Sequence, residues 1–340
     1  MKIDGNLITD LADVPARARD LEELGYDGAV SVDTNHDPFL PLALAAEHSR
    51  RLELVTGVAI ALARSPMTVA YTAHDLQVLS AGRLVLGLGS QIKPHIEKRF
   101  SMPWSAPAAR MREFILALRA IWQAWNSGQP LAFRGEHYRH TLMTPFFSPP
   151  PSPHGPPRVH LGALGDLMCQ VAGEVADGAL LHPFTTPRYV RERQLPAIEH
   201  GLASAGRSRT GFEVGISPFV ITGPDEASMA GMREAVRLQL AFYGSTPAYR
   251  PVLDLHGWGE VQDRLNSLSK RGSWGDMGEV ITDEILATFA VEAPLDGVAA
   301  ALAERYGGLA DRMSFHVPWD GQRDRWPALL DELRAATAAG

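Results

Sequence analysis

The segment Leu52-Glu-Leu-Val-Thr-Gly-Val-Ala-Ile-Ala61, followed by Leu62-Ala-Arg-Ser-Pro66, decides the fold. Residues 52–61 form a nearly continuous apolar run, which is typical of a parallel strand that is covered on both faces. Ser65 and Pro66 then provide an N-cap and a first-turn proline for a helix over 67–80. A second apolar run, 84–87, comes soon after that helix. This order of strand, helix and strand predicts a βαβ unit.

The same alternation recurs along most of the chain. Helices are also predicted over 107–126, where apolar residues recur at helical spacing from Met111 to Trp125 and Gly128 can end the helix, and over 167–175. Candidate strands cover 2–7, 28–32, 52–61, 84–87, 159–162, 179–181, 212–220 and 312–317. Eight βα units in 340 residues predict an α/β fold, the (β/α)8 TIM barrel, with its active site at the C-terminal ends of the strands.

Two segments interrupt the alternation. Residues 133–157 end in the proline-rich run from Pro145 to Pro157, which cannot form a helix or a central strand and predicts a stiff connector. Residues 223–310 are too long for one crossover and predict a helical insertion between strands seven and eight, over one end of the sheet. We therefore expect a single barrel domain over residues 1–340 with insertions at 133–157 and 223–310.

The composition restricts the function before any motif is considered. With 45% hydrophobic and 21% charged residues the chain has a globular composition, and a net charge of −7 without a strongly basic segment argues against nucleic acid as a partner. Cys169 is the one cysteine, which excludes a disulfide scaffold and a cysteine-built metal site. The N-terminus lacks an apolar signal core, and the longest apolar stretch, 55–63, is about half of a membrane-spanning helix. We expect a cytoplasmic protein without a membrane partner.

Polar residues that follow the predicted strands are the candidates for chemistry. His36 follows strand two between Asp33 and Asp37, so it could give or take a proton at neutral pH, although an N-capping and loop role stays open. The other candidates are Asp4 and Asn6 on strand one, Asn35 after strand two, Ser90, Gln91, Lys93 and His95 after strand four, Gly165 and Asp166 after strand five, His182 after strand six, Ser217 after strand seven, and His316 after strand eight.

Several barrel chemistries are not matched by these residues. Strand one lacks the His-x-His of barrel metallohydrolases, strand six carries no lysine for a Schiff base, and paired carboxylates for glycoside hydrolysis are not evident. Gly87-Leu-Gly89 looks like the start of a dinucleotide fingerprint, but a third glycine is missing and the motif follows the fourth strand. No metal site is expected.

A set of motifs in fixed order carries a family resemblance. They are Gly25-Tyr-Asp-Gly28, Asp33 with His36-Asp-Pro-Phe39, Thr56-Gly-Val-Ala-Ile-Ala-Leu-Ala-Arg-Ser-Pro66, Ser80-Ala-Gly-Arg-Leu-Val-Leu-Gly-Leu-Gly-Ser90, and Val171-Ala-Gly-Glu-Val-Ala-Asp-Gly178. Together they resemble the bacterial luciferase-like superfamily, specifically its branch of coenzyme F420-dependent oxidoreductases. The resemblance covers most of the chain to about Gly223, and the family also has a helical insertion before strand eight.

The resemblance implies hydride transfer between the deazaflavin coenzyme F420 and a small, apolar organic substrate, and it implies a homodimer. A flat ring would lie across the strand ends, against a bulge in strand three with a non-proline cis peptide at Gly57-Val58. Asp33 and His36 would be catalytic and would flank the redox face. The cofactor-binding residues implied are Gly57, Val58, Ser90, His95, Leu164, Gly165 and His182.

The resemblance also narrows the substrate and leaves two alternatives. Ile92 stands near the place of the catalytic carboxylate of the sugar-phosphate dehydrogenase in this branch, and Pro183-Phe-Thr185 stands where that enzyme has a basic cluster. An apolar carbonyl, imine or alkene is therefore expected rather than a phosphosugar. The alternatives are a monooxygenase that uses reduced FMN and oxygen, and a barrel that binds a cofactor without catalysis.

Overall fold

The structure, a computed structural model, describes residues 1–314 and 323–338. Its strands are β1 Lys2–Asn6, β2 Gly28–Ser31, β3 Glu53–Thr56, β4 Ala59–Ile60, β5 Leu84–Gly89, β6 Phe133–Arg134, β7 Arg139–His140, β8 Arg158–Ala163, β9 Gly178–Leu181, β10 Glu213–Ile216, β11 Phe219–Ile221, β12 Ala290–Glu292 and β13 Arg312–Ser314.

Helices follow most of these strands. They are α1 Val14–Glu23, α2 Phe39–His48, α3 Pro66–Leu79, α4 Pro107–Ser127, α5 Asp166–Val175, α6 Pro187–Tyr189, α7 Leu195–Ser204, α8 Glu226–Gly244, α9 Arg250–Leu255, α10 Gly259–Arg271, α11 Asp283–Phe289, α12 Val298–Tyr306 and α13 Trp326–Ala338. Short π-helical turns cover His95–Arg99 and Val190–Gln194, and short 3₁₀ turns include Ala61–Ala63 and Pro145–Phe147.

The strands close into a parallel barrel. Around the ring the order is β1, β2, β3, β5, β8, β9, β10 and β13, and β13 pairs with β1 through the register Lys2 to Arg312. The short strand β4 continues the third position after an interruption and pairs with β5. The predicted (β/α)8 barrel is confirmed. The end of the eighth predicted strand beyond Ser314, with His316, lies outside the described residues.

Two predicted strands differ from those observed. The run 52–61 is divided into β3 and β4, and the run 212–220 is divided into β10 and β11. In the second case Pro218 interrupts the ladder because proline has no backbone N–H to donate. After this break β11 leaves the barrel and pairs with β12 in a separate two-stranded sheet.

The predicted helices are confirmed as α3, α4 and α5. The Ser65 hydroxyl caps α3 by accepting a hydrogen bond from the Thr68 amide at 3.2 Å. Gly128 ends α4 in the left-handed conformation, with φ of 70°. In the connector 133–157, β6 and β7 form a small hairpin and Pro145–Phe147 one 3₁₀ turn, so no helix or barrel strand occurs there among the described residues.

The segment between β11 and β12 carries helices α8 to α11, which form their own apolar cluster with Leu240, Val252 and Phe289 buried inside. The same cluster includes Leu164 and Phe184, which follow β8 and β9. The helices of the insertion therefore lie at the C-terminal end of the barrel, where a site is expected. Within residues 1–314 and 323–338, no helix is both long and apolar enough to cross a membrane.

Candidate active site

The N-terminal end of the barrel is closed by ion pairs. Arg312 is 1% exposed, and its guanidinium contacts Asp4 at 2.7 Å, Glu213 at 3.1 Å and also Glu53. Lys2 bridges Glu53 and Glu213 at 3.0 and 2.6 Å. Asp4 was expected at a strand end, but it lies inside the barrel. Its burial raises its pKa to about 7 despite the opposing charge of Arg312.

The middle of the barrel is filled above this network. His160 is fully buried, 3.5 Å from Glu213, and burial lowers its pKa to about 4, so its ring is neutral at pH 7. Val30, Val55 and Val85 form a separate buried cluster against which Leu180 packs. Because these side chains fill the interior, a ligand must enter at the C-terminal mouth.

An apolar platform supports the mouth at strands three to five. The expected cis peptide is present between Gly57 and Val58. Val58 lies over bare backbone, since a Cβ on Gly89 would come within 2.5 Å of its Cγ2 atom and one on Gly162 within 3.1 Å of its Cγ1 atom. We call Val58 on Gly89 and Gly162 the platform. Thr56 fixes its edge by donating its hydroxyl to the Gly87 carbonyl at 2.7 Å.

Arg64 organises the loop that carries His36. Its guanidinium lies 2.5 Å from the Asp33 carboxylate and 3.1 Å from that of Asp37. Asp33 also accepts a hydrogen bond from the Ile60 amide at 3.0 Å, so its buried carboxylate joins this loop to β4. The carboxylates on either side of His36 thus turn toward Arg64. His36 itself is exposed at the rim.

The loop after β5 contacts the loop that carries His36. The Ser90 hydroxyl donates to the Gln91 carbonyl at 3.0 Å, and Gln91 has a left-handed φ of 61°. His95 is half-buried and begins a π-helical turn that ends at Arg99. Arg99 donates to the carbonyl of Thr34. Ser90 therefore directly follows the platform residue Gly89, and the turn that begins at His95 is joined through Arg99 to the loop of His36.

Helix α5 begins at the neighbouring strand position with free space in front of it. Gly165 is its N-cap residue and offers no side-chain cap, and a Cβ at Gly165 would meet no atom within 4 Å. Leu164 is held from behind, because its carbonyl accepts a hydrogen bond from the Gln194 side chain at 3.0 Å. The first amides of a helix attract anions, so this corner suits the negatively charged tail of a ligand.

His182 stands at the next strand, beside two tyrosines of the insertion. Its ring centroid lies 4.9 Å from that of Tyr243 and 4.6 Å from that of Tyr249. We call these three side chains the aromatic wall. Phe184 packs behind it, 6.0 Å from Tyr249 and 4.7 Å from Phe289. Burial lowers the pKa of His182 to about 4 and raises that of Tyr249 to about 12.

The predicted residues follow neighbouring strands along one arc of the mouth. Gly57, Val58, Ser90 and Gly165 lie on the third, fourth and fifth positions of the ring, and His182 follows the sixth. His36 follows β2, which stands opposite β9 in the ring, so His36 and His182 follow strands on opposite sides of the mouth. Sequence reasoning missed Arg64, Tyr243 and Tyr249 as site residues. Arg64 could have been found from its position just before the helix cap Ser65-Pro66.

The mouth combines an apolar surface with the N-terminus of a helix. Val58 gives an apolar surface at the third ring position, and the amides of α5 lie at the fifth position, two strands away. The fold and the mouth together therefore define a parallel α/β barrel whose C-terminal end carries an apolar surface at its third strand. A family model described as luciferase-like monooxygenase matches residues 3–312, and the chain belongs to this family.

Individual relatives agree with this assignment. An uncharacterized protein of Mycobacterium tuberculosis is 53% identical over 313 residues, which is 92% of either chain. The 5,10-methylenetetrahydromethanopterin reductase of Archaeoglobus fulgidus is 28% identical over 83% of this chain and 82% of its own. A putative coenzyme F420-dependent oxidoreductase of Mycobacterium tuberculosis is 29% identical over 83% of this chain and 84% of its own.

Solved structures share the fold. The coenzyme F420-dependent tetrahydromethanopterin reductase from Methanopyrus kandleri has a TM-score of 0.77 at 19% identity, over 97% of this chain and 96% of its own. The EDTA monooxygenase from a Chelativorans species has a TM-score of 0.73 at 16% identity, over 100% of this chain and 93% of its own. The chain is therefore a luciferase-like oxidoreductase by family, and the proteins it resembles include coenzyme F420-dependent enzymes and a monooxygenase.

Proposed function

We propose that this protein is a coenzyme F420-dependent oxidoreductase that transfers a hydride between the deazaflavin and a small, apolar organic substrate. The observation that carries the proposal is the platform of Val58 on Gly89 and Gly162, with the uncapped start of α5 beside it. The relative named as a putative coenzyme F420-dependent oxidoreductase, aligned over 83% of this chain, favours the deazaflavin over FMN.

Each part of the mouth has a task in this reaction. Val58 would support one face of the ring and exclude water from it, and the amides of Leu164 and Gly165 would bind the phosphate of the tail. Ser90 and His95 would contact the ring or its side chain from the loop after β5. When bound, coenzyme F420 supplies a carbon that donates or accepts a hydride. The protein contributes mainly the relative position of ring and substrate.

His36 would handle the proton. In the direction of reduction, a C–H bond forms at the substrate carbon, the π bond of the C=O, C=N or C=C group breaks, and the atom left with the electron pair takes a proton from His36. Asp33 would act through position: its contacts with Ile60 and Arg64 fix the loop on which His36 stands. We assign Asp33 as a positioning residue in this reaction.

The cofactor is tested first. The protein is titrated with coenzyme F420 and with FMN, each oxidised and reduced, and ligand binding is followed by fluorescence and absorbance. We expect saturable binding of coenzyme F420 and weaker binding of FMN. Tight binding of FMN with oxygen consumption would instead support the monooxygenase, and binding without turnover of any carbonyl, imine or alkene tested would support a barrel without catalysis.

The proton role is tested by His36→Ala. We expect kcat to fall by about 10²–10⁴-fold, because a positioned general acid contributes that much, while the Kd for coenzyme F420 stays within about twofold. The matched control is His200→Ala, which removes an exposed histidine on α7 and should keep wild-type kcat. Full activity of His36→Ala would refute the role.

A further inference from the structure

The aromatic wall fixes the orientation of the His182 ring. Along β9, a Cβ at Gly178 would meet the interior residue His160, and the Leu180 side chain faces the same interior, where it meets Gly87 and Gly215. By the alternation of a strand, His182 faces the same interior at its upper end. The rings of Tyr243 and Tyr249 lie within 5 Å of it on the insertion side. The His182 amide donates to the Ala163 carbonyl at 2.9 Å, which holds the backbone to β8.

One hydrogen bond decides which ring nitrogen carries the proton. The backbone amide of Phe184 donates to Nδ1 of His182 at 3.0 Å. An amide nitrogen can only donate, so Nδ1 must be the acceptor and carries no proton. In a neutral imidazole the proton is then on Nε2. Burial keeps the ring neutral, since it lowers the pKa of His182 to about 4.

The Nε2–H group has no acceptor among the residues that the structure describes. Among the described residues Nε2 has no hydrogen-bond partner, and it keeps contact with solvent. The arginines closest in sequence to the wall are engaged elsewhere: Arg188 binds Glu192 and the Leu255 carbonyl, and Arg250 pairs with Asp254 and Asp263. An acceptor at Nε2 therefore meets a neutral donor between aromatic rings, which suits an uncharged oxygen better than a carboxylate or phosphate.

We propose that His182 is a fixed Nε2–H donor that binds the uncharged carbonyl oxygen of a conjugated or aromatic ligand at the aromatic wall. The carbonyl belongs either to the substrate or to the cofactor ring, and the experiment below separates the two sources. This oxygen is not the atom that takes a proton from His36, because His36 and His182 follow strands on opposite sides of the ring. A neutral His182 orients the carbonyl group by donating a hydrogen bond and transfers no proton. The identity of the ligand rests on the proposed function. The protonation state of the His182 ring, however, does not depend on any cofactor.

The state of the ring is measured directly in the protein as it is. Long-range proton–nitrogen NMR spectra of the labelled full-length chain are recorded from pH 8 to pH 5, and the His182 signals are assigned by their loss in His182→Phe. We expect a protonated Nε2, an unprotonated Nδ1 and no titration over this range. A proton on Nδ1, or a charged ring at pH 6, would overturn the proposal whether or not coenzyme F420 binds.

The donor is tested with 4-(dimethylamino)cinnamaldehyde, whose absorbance shifts to the red when its carbonyl accepts a hydrogen bond. We expect a shift with the wild type and with His182→Gln, which keeps an N–H near the Nε2 position. With His182→Phe, which keeps the ring shape, the shift should disappear and the affinity should fall about five- to tenfold. The cinnamate of the same ring system should bind more weakly than the aldehyde. Absence of a shift in the wild type, or an equal shift in His182→Phe, contradicts the proposal.

Loading the protein with coenzyme F420 identifies the source of the carbonyl. If the substrate supplies it, the red shift persists in the loaded protein and His182→Phe binds the cofactor normally. If the cofactor ring supplies it, loading removes the shift and His182→Phe weakens cofactor binding about five- to tenfold. Either result supports His182 as the hydrogen-bond donor. The proposal is excluded if loading with coenzyme F420 removes the red shift while His182→Phe binds the cofactor with unchanged affinity.

Discussion

At the scale of single residues, the contact between Asp33 and Arg64 determines where His36 stands. The two side chains are 5% and 20% exposed, and their closest atoms are 2.5 Å apart. Removal of either side chain leaves the charge of the other unpaired in a partly buried environment. In a cycle of Asp33→Ala, Arg64→Ala and the double variant, measured by urea unfolding, we expect a coupling energy of about 1–3 kcal/mol.

The same cycle has an internal control on the surface. Arg188 and Glu192 form an ion pair at 2.9 Å, but both side chains are about half exposed. Their coupling energy should be about 0–0.5 kcal/mol, because solvent screens such pairs. Equal coupling energies in the two cycles would show that the contact with Arg64 does not hold the His36 loop. Asp33 would then again be a candidate for a direct catalytic role.

A second residue-scale prediction concerns pH. His160 is neutral in the folded protein, with its pKa lowered to about 4 by burial, whereas in the unfolded chain the histidine pKa is near 6.5. Between these values the unfolded state binds more protons, so the contribution of His160 to stability is complete above pH 6.5 and is lost as pH falls to about 4. His160→Leu should remove up to about 1.4 kcal/mol per pH unit from the slope in this window.

The pH prediction is checked by urea unfolding of both proteins at several pH values. At pH 7 the free energy of unfolding of His160→Leu should lie within about 1.5 kcal/mol of the wild-type value. The reason is that neither nitrogen of the His160 ring has a hydrogen-bond partner to lose among the described residues. Equal acid slopes in the two proteins would mean that His160 is protonated in the fold. Asp4, whose pKa is raised, has the opposite pH dependence, and the comparison cancels its effect.

Single residues of the site were predictable from sequence to different degrees. Residues just after a strand, such as His36 and His182, could be placed at the mouth because the barrel geometry requires it. The position of Asp4 could not be predicted, because its ion-pair partner in the barrel interior, Arg312, comes from the other end of the chain. Tyr243 and Tyr249 lie in the insertion, where no strand pattern gives a position relative to the barrel.

At the scale of elements, strand three depends on the glycines of its neighbours. A Cβ on Gly87 would lie 1.9 Å from the backbone oxygen of Thr56, which cannot turn away as a side chain can. Gly87→Ala should therefore separate β3 from β5 and lower the free energy of unfolding by about 3 kcal/mol or more, at the upper limit of overpacking effects. Gly165→Ala is the control: it has open space and should change stability by less than about 0.5 kcal/mol.

A companion pair tests the platform itself. In Gly89→Ala the new methyl group meets the flexible Val58 side chain at 2.5 Å, so the fold should survive while the platform is displaced. We expect at least about tenfold weaker binding of coenzyme F420, and partial recovery when Val58→Ala is added, because the second change restores the lost space. The readout is the fluorescence titration. No change in Gly89→Ala, or no recovery in the pair, would argue against a ligand on this surface.

The boundaries of the strands show why the sequence predicts the barrel better than it predicts the points where a strand is interrupted. Apolar runs located every strand of the ring, because parallel strands under helices are buried on both faces. The same signal continues through residues 57–58 and through Ser217-Pro218, where the chain leaves the ladder. Pro218 could have indicated the break in the strand from sequence alone, because proline has no backbone N–H group to donate to the ladder. The interruption at Gly57-Val58 depends on Gly89 and Gly162 from two other strands, and it was found through the family resemblance.

At the scale of the whole molecule, the barrel closes where its first and last strands meet. Arg312 at the start of β13 contacts Asp4 on β1, Glu53 on β3 and Glu213 on β10, so one buried guanidinium joins strands from across the ring. Arg158 on β8 contacts the same two glutamates, but its side chain is 37% exposed. This difference in burial makes the two arginines a matched pair with the same charge and shared partners.

The comparison of Arg312→Met with Arg158→Met follows from this difference. Arg312→Met leaves buried carboxylates without their main counter-charge, and the free energy of unfolding should fall by about 3–5 kcal/mol. Arg158→Met should cost about 1 kcal/mol or less, because water replaces the lost contact. Urea unfolding should show a lower midpoint for Arg312→Met with an unchanged slope, as expected when the native barrel is weakened as one cooperative unit. Similar losses for both variants would show that the network does not close the barrel through Arg312, and a shallower slope would show that the strands of the ring unfold in separate steps.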